Sequence, residues 1–416
     1  MSAIQVHVAQ GDRSAHAGAL YAHRRGRTQS ASFAYEPAYL RRPDAWAIDP
    51  ALPLKTGAYQ TATGQALFGA LTDCAPDRWG QTLLTRREAH LARQEGRAAR
   101  TLSDLDFLLE ARDDLRQGAL RFSDSPDPDG PFLATGDHGV PALTDLPALL
   151  DLADKATADA ADLSDLQRLV HVGSSLGGAR PKAHVRASDG SLAIAKFPSA
   201  NQDTWNVMAW EKVALDLARA GGLRVPDSQL LHLNGRSVLV VKRFDRTPDS
   251  GRIGYVSAMT MLEATDRDQR SYLEIAGVIE ERSDQPTLDL RELWRRAALS
   301  VLLSNTDDHL RNHGFLHRRA DIWHLSPAFD LNPTPEAGAP VLSTSIDGTD
   351  EPATLEALLH VAGLFRLDDV RARTDLRQLA AAVATWPEVA RRHGLSSAEI
   401  SGMRAAFDLV RSATRV

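Results

Sequence analysis

The sequence predicts an α+β protein with a mixed α/β N-terminal subdomain, a strand-rich lobe and an all-helical C-terminal lobe, and three observations carry that prediction. Residues 171 to 245 run as strand, glycine-rich turn, strand, helix and strand. A helix over roughly 288 to 303 carries an unbroken apolar stripe of Leu290, Leu293, Trp294, Ala297, Ala298, Val301 and Leu302. Between these lobes and the N-terminus, SDSPDPDGPFLATGDHG (123 to 139) concentrates Pro, Gly, Asp and Ser, which cannot sustain a helix or strand interior. It reads as a loop close to a domain boundary, and the expected divisions are 1–112, 113–245 and 246–416.

The elements follow in order. Residues 1 to about 112 mix strand-like runs, IQVHVAQ and GALYAH, with a helical stretch around GQTLLTRREAHLARQ. No internal repeat is present, and ADKATADAADLSD (153 to 165) is only mildly biased in composition. HVRASDGSLAIAKF predicts a hairpin with Asp189 and Gly190 as its turn. TWNVMAWEKVALDLARAGGL predicts a helix, because Val207, Trp210, Ala214 and Leu217 recur at three- and four-residue spacing and Gly221 can close the C-terminus. SVLVVKRF is a short apolar run typical of a buried strand, and the chain after 255 is mostly helical. The apolar spacing of residues 370 to 416 is that of helices completing the C-terminal core.

With 416 residues the chain is long enough for two or three domains, and 43% hydrophobic and 25% charged residues are ordinary for a soluble globular protein. The opening MSAIQVHVAQGDRSAHAGALYAHRRG lacks the apolar core of a signal peptide, and no uncharged apolar stretch reaches roughly 18 residues. A cytoplasmic location is expected, with no membrane partner. Cys74 is the only cysteine, which excludes an intramolecular disulfide and a cysteine-based zinc site. A formal net charge of −6 argues against a chain that wraps nucleic acid by itself, and the basic YAHRRGR (21 to 27) reads as a solvated loop.

The long helix delivers the chain into SNTDDHLRNHG (304 to 314). Two acids, an amide and two imidazoles in that space suit a metal site, a proton-transfer site or both. Phosphoryl transfer needs phosphate donors, a lysine, oxygen ligands for magnesium and a carboxylate near the attacking hydroxyl. Candidates for each stand in the order in which protein kinases present them. VGSSLGGARPKAHV (172 to 185) has Gly173, Gly177 and Gly178, whose backbone N–H groups could converge on an anion, with Arg180 and Lys182 adding positive charge. It is not a Walker A loop, and a plain turn fits the same residues. Lys196 closes a strand apolar on both faces and needs a partner if buried, and Glu211 is one candidate. Two exposed surface charges are the other reading.

Asp307 and Asn312 stand five positions apart, as in the kinase D-x-x-x-x-N loop, where the Asp accepts the hydroxyl proton and the Asn holds a metal. After them GFLHRR and DIWHL predict a hairpin that returns Asp330 beside the loop as a second metal ligand. Such oxygen ligands suit magnesium or manganese better than zinc. His309 and His313, four apart, could bind zinc, but position 310 is Leu where H-E-x-x-H needs its glutamate, and Gly314 argues for a loop. His309 is expected to hydrogen-bond within the loop and position Asp307.

SLGGARPKA (175 to 183), KRFDR (242 to 246), NTDDHLRN (305 to 312) and SPAFDLNP (326 to 333) together resemble the HipA family of serine/threonine kinases, toxins of bacterial HipA–HipB toxin–antitoxin pairs. The matches come in the family's order over about 115 to 335, and GALRF (118 to 122) with the N-terminal 110 residues is similar to the family's extra subdomain. The resemblance implies a protein-kinase-like two-lobed fold, ATP and Mg²⁺ as cofactors, Asp307 as catalytic base, and Asn312 and Asp330 as metal ligands. It implies that Lys196 contacts the ATP phosphates, with Ser175, Gly177, Gly178, Ala179, Arg180 and Lys182 in the phosphate loop. The backbone of Lys242 and Phe244 would read adenine, with Asp245 near the ribose. Ser175, or the adjacent Ser174, would be autophosphorylated, and the added charge should eject the loop. The implied partners are a HipB-like helix-turn-helix antitoxin, through which DNA association is indirect, and a protein substrate such as an aminoacyl-tRNA synthetase. Trp210 and DCAPDRWG depart from the family's pattern.

Two other functions share these residues. Small-molecule phosphotransferases also have a D-x-x-x-x-N loop, and phosphate on a metabolite with none on protein would favour them. A catalytically idle antitoxin-binding co-repressor is the third reading, which ATP turnover would exclude.

Overall fold

The computed structural model describes residues 3–11, 13–26, 28–136, 139–173, 178–199, 203–335, 338–349 and 351–416. The chain forms two compact units. The first comprises Met1–Asn201, Lys242–Val256 and Leu316–Asp321, and the second comprises Gln202–Val241, Ser257–Phe315 and Ile322–Val416.

In the first unit, β1 (Ile4–Gln10), β2 (Arg13–Arg25), β3 (Thr28–Tyr35), β4 (Ala58–Gln60) and β5 (Leu120–Ser123) form an antiparallel sheet in the order β4-β3-β2-β1-β5. Alternation places Ile4, Val6 and Val8 in the core with Leu20, Phe33 and Phe122. Gly18 is required in β2 because a Cβ there would meet the Ala34 carbonyl at 2.2 Å. YAHRRGR is not a loop: Tyr21 to Arg25 continue β2, and the basic side chains of Arg24 and Arg25 are exposed at its end. β5 lies beyond residue 112, so the N-terminal sheet includes a strand from past that expected boundary.

The helix Arg78–Gln94 forms as expected, capped by Asp77, whose Oδ1 accepts from the Gly80 amide at 3.0 Å. Cys74, just before it, is buried, and its thiol donates to the Gln117 carbonyl at 3.5 Å. Burial pushes that thiol up to about 12. Two helices were not anticipated, Leu146–Thr157 and Leu163–Val172. They bury Leu146, Leu149, Leu150 and Ala153, and Leu166, Leu169 and Val172, at helical spacing that the Asp- and Ala-rich composition masks. β6 (Lys182–Arg186) and β7 (Leu192–Lys196) make the expected hairpin, with Gly190 at φ 81 in the turn and the Asp189 carboxylate accepting from the Ser191 amide at 3.0 Å.

The second unit is mainly helical. β8 (Ser228–Leu233) pairs antiparallel with β9 (Arg236–Lys242). Helix Val207–Ala220 ends at Gly221, but the left-handed residue is Gly222 at φ 83; Gly221 is small because a Cβ would meet Leu379 at 2.5 Å. Helix Pro286–Leu303 is buried on nearly all sides rather than along one stripe. Its polar residues survive there by pairing: Arg296 lies 3.1 Å from Glu292, and Arg295 donates to the Gly221 carbonyl. Trp210, the departure from the family pattern, is buried beside Trp386 and Phe407, which stack at 4.3 Å. The C-terminal residues thus complete the core of this unit, as their spacing predicts. Among the described residues no helix is long and apolar enough to cross a membrane.

Candidate active site

In the second unit, helix Pro286–Leu303 stops at Ser304, held left-handed at φ 49, which turns the chain out of the core. The Asn305 amide still reaches the Ser300 carbonyl at 2.9 Å, so the loop leaves from a fixed point. Asp307 is exposed. Its main-chain carbonyl accepts from the His309 amide at 3.0 Å and from Asn312 Nδ2 at 3.1 Å. His309 therefore positions Asp307 through its main chain, while its ring Nδ1 is buried with no hydrogen-bond partner among the described residues.

The bond from Asn312 Nδ2 fixes which way that amide points. With the NH₂ end committed to Asp307, Oδ1 faces away, and it is buried with no hydrogen-bond partner among the described residues. An orphaned buried carbonyl oxygen costs about 1–3 kcal/mol in a finished fold. A hard cation is the ligand that such an oxygen suits.

Asp308, adjacent to Asp307, faces the other way and is buried. Tyr272 Oη donates to its Oδ2, Ser300 Oγ donates to the same oxygen at 2.8 Å, and His313 Nε2 lies 3.1 Å from Oδ1. Burial opposes ionisation of Asp308, but His313 and the two hydroxyl donors outweigh it and hold the carboxyl below its ordinary value. The same burial and the same carboxylate push the Tyr272 hydroxyl well above its ordinary value. The His313 carbonyl in turn accepts from the Ala258 amide at 2.7 Å. Asp308 is thus the anchor from which the loop presents Asp307. The spacing to Asn312 singles out Asp307 in the sequence, whereas the anchoring role of Asp308 emerges only with the arrival of Tyr272 and Ser300.

The segment after the predicted hairpin does come back beside the loop. The Asn332 amide donates to Asn305 Oδ1 at 3.2 Å, and the Thr334 amide to the Ser304 carbonyl at 3.2 Å. Asp330 sits between the hairpin and these bonds at φ 58, a region rarely held by a residue with a Cβ. Such strain persists where the surroundings over-determine it, commonly at functional sites. Asn332 Nδ2 donates to the Asp330 carbonyl at 3.3 Å. Asn312 and Asp330 thus fit a magnesium ion by chemistry: one orphaned amide oxygen and one strained carboxylate on stitched segments. Glu211, also in this unit, is buried, with 2% exposed.

The first unit carries the phosphate-side candidates. Ser174, Ser175 and Gly177 lie outside the described residues. Gly178 takes φ 92, Ala179 is exposed and Arg180 is half-buried. Lys196 is half-buried and stands directly opposite Lys182 in the β6–β7 register. Lys182 is buried with its Nζ 2.6 Å from Asp77 Oδ2. Lys242 Nζ reaches Asp189 Oδ2 at 2.8 Å across an exposed pair, while the half-buried Phe244 ring neighbours Tyr255.

Asp245 corrects an expectation. Its carboxylate does not present itself to a ribose but is 1% exposed. Oδ1 accepts from Arg243 Nε at 2.8 Å, and Oδ2 takes Arg243 at 2.5 Å, Arg246 at 2.8 Å and the Gly118 amide at 2.8 Å. Burial opposes its ionisation, yet the two guanidiniums and the amide hold it far below the ordinary carboxylate range. Arg243 also donates to the Leu115 carbonyl at 2.5 Å and pairs with His184 Nε2 at 2.9 Å. The KRFDR run is a buried brace, because arginine side chains two before and one after the acid can both fold back onto it.

Residues 11–122 match the HipA N-terminal domain, and residues 174–387 match the HipA-like C-terminal domain. A Sinorhizobium fredii protein provisionally named a kinase, Y4dM, is 31% identical over 157 residues, which is 34% of this chain and 37% of that protein. A Haemophilus influenzae protein with a similarly provisional kinase name is 26% identical over 143 residues, 30% of this chain and 42% of that protein. The matches therefore span less than half the length of these curated relatives. Among solved structures, the complex of the Shewanella oneidensis MR-1 toxin–antitoxin system HipA, HipB and its operator DNA contains a chain of the same fold. The TM-score is 0.68 at 17% identity, covering 99% of this chain and 96% of that one. The C-terminal match alone takes in more than half of the residues, and the chain belongs to the HipA family, with its kinase-like fold.

Proposed function

We propose that the protein is an ATP- and Mg²⁺-dependent serine/threonine protein kinase of the HipA toxin type. The observation that carries this reading is the paired state of the catalytic loop: Asp307 exposed with its carbonyl pinned, and Asn312 Oδ1 buried without a partner. In this reading Asp307 accepts the proton of the acceptor hydroxyl as that oxygen bonds to the γ-phosphorus of ATP and the bond from that phosphorus to the bridging oxygen breaks, releasing ADP. Asn312 and Asp330 hold magnesium, which when bound neutralises charge developing on the phosphates. Lys196 contacts the phosphates, and the main chain at Lys242 and Phe244 receives the adenine. Ser175 or Ser174 is the self-phosphorylation site. Family kinship further supports a HipB-like antitoxin as partner and a translation component such as an aminoacyl-tRNA synthetase as target, with growth inhibition as the result.

The test is incubation with Mg²⁺ and γ-labelled ATP followed by mass spectrometry of the protein's own peptides, with Asp307→Asn as control. Phosphate on Ser174 or Ser175 in the parent alone is expected. No phosphate and no nucleotide binding in the parent would refute the reading.

A further inference from the structure

We infer that Asp77, in the N-terminal subdomain, is the counter-ion that sets how tightly Lys182 can engage a phosphate-bearing ligand. The inference rests on the phosphotransfer reading above and adds to it a positioning residue outside the phosphate loop and the kinase motifs.

The geometry begins with a conflict. Lys182 and Lys196 are directly opposed in the antiparallel β6–β7 pair, so both side chains leave the same face. Like charges directly opposed on a sheet repel one another. Lys182 is moreover almost out of water, with 3% of its side chain exposed. A lysine in that position needs a carboxylate, and Asp77 supplies it at 2.6 Å with its own side chain only 6% exposed.

Asp77 is not a passing surface acid. Its Oδ1 caps the 17-residue helix Arg78–Gln94 through the Gly80 amide, so the positive end of that helix stabilises its charge, and Oδ2 is turned toward Lys182. Each oxygen has its own assignment. A Cβ built on Gly178 would lie 3.7 Å from Lys182 Nζ. The ammonium held by Asp77 is therefore close to the last residue of the glycine-rich run. A phosphate arriving at that run meets a lysine whose charge is already half spent. The retained carboxylate lowers affinity for phosphate and keeps the two opposed lysines compatible while no ligand is bound.

Asp77→Asn isolates this role, because Asn caps a helix as well as Asp does while removing the charge and the oxygen that face Lys182. Binding of ATP, ADP and adenosine to the full chain is measured by calorimetry. ATP and ADP are expected to bind about tenfold more tightly in Asp77→Asn, the low end of what a neighbouring charge does to a proton-binding equilibrium, while adenosine binds as in the parent. Asp77→Ser, a second uncharged cap, should behave alike if the first variant folds poorly. The gain should vanish in a Lys182→Met background, which a purely structural role for Asp77 would not produce. Unchanged ATP affinity, parallel weakening of ATP and adenosine, or a gain that persists without Lys182 would each overturn the inference alone. A parent that binds no ATP would instead overturn the phosphotransfer reading, and this inference with it.

Discussion

The KRFDR run at 242–246 and the NTDDHLRN run at 305–312 are both short, charged and buried in part, yet their polar atoms are satisfied to opposite degrees. In the first, both oxygens of Asp245 are taken up by arginines and a backbone amide, and Arg243 goes on to bond three further carbonyl or ring acceptors. In the second, Asp308 is equally saturated, but Asp307 stands exposed and Asn312 Oδ1 has no partner among the described residues. Saturated charge marks a brace. An unsatisfied acceptor such as Asn312 Oδ1 next to a saturated anchor marks where a ligand completes the structure. Exposure separates two consecutive aspartates in the same loop, Asp307 outside and Asp308 buried.

That contrast can be broken most sharply at Asp307. Asp307→Asn should lower phosphoryl transfer by roughly 10²- to 10⁴-fold while leaving the denaturation midpoint where it was; a variant that unfolds early instead would make Asp307 part of the anchor. Asp245→Ala should do the reverse, lowering unfolding free energy by about 3–5 kcal/mol because it leaves buried guanidiniums without their carboxylate. Urea titration checks this, and a loss below 1 kcal/mol would mean that the arginines find water. Tyr272→Phe removes one donor from Asp308 and should cost about 1.5–3 kcal/mol. Tyr272→Phe should also lower transfer at saturating ATP, since the loop that carries Asp307 hangs from that bond; unchanged stability and transfer would remove Asp308 from the anchor role.

A pH-dependent effect sharpens the brace. Burial, then the charge of Arg243, pushes His184 down to about 3 from an ordinary value of 6.5. Its folded pKa lies below its unfolded one, so protons bind the unfolded chain preferentially. The stability it contributes is present above pH 6.5 and is lost as pH falls toward about 3. Over that window the slope should reach about 1.4 kcal/mol per pH unit, and His184→Gln should flatten it in denaturation measured at stepped pH.

What the sequence disclosed was local. The β6–β7 hairpin was legible because Asp189 and Gly190 are turn residues by their own chemistry, and Asp307 and Asn312 were legible because their spacing is set within one loop. Asp245 was misread because its partner Gly118 and the carbonyls that hold Arg243 come from 127 and 128 residues away. Asp77 was likewise hidden, since Lys182 lies 105 residues on and the acid's neighbourhood looked like nothing more than a departure from the family's usual loop. The helices Leu146–Thr157 and Leu163–Val172 were overlooked for a different reason: their polar faces dominate a composition that seemed featureless, although Leu149, Leu150 and Ala153 keep helical time.

The lone thiol has a practical consequence. Cys74 is 2% exposed, and with its acidity suppressed to about 12 it presents almost no nucleophile to a maleimide or an iodoacetamide at neutral pH. The wild-type chain is therefore already a silent background for site-directed labelling. A cysteine placed at an exposed position such as Val370 should take up a fluorophore or a spin label alone, with no native residue first removed. Distances and motions could then be followed in solution on a protein whose own chemistry has not been edited.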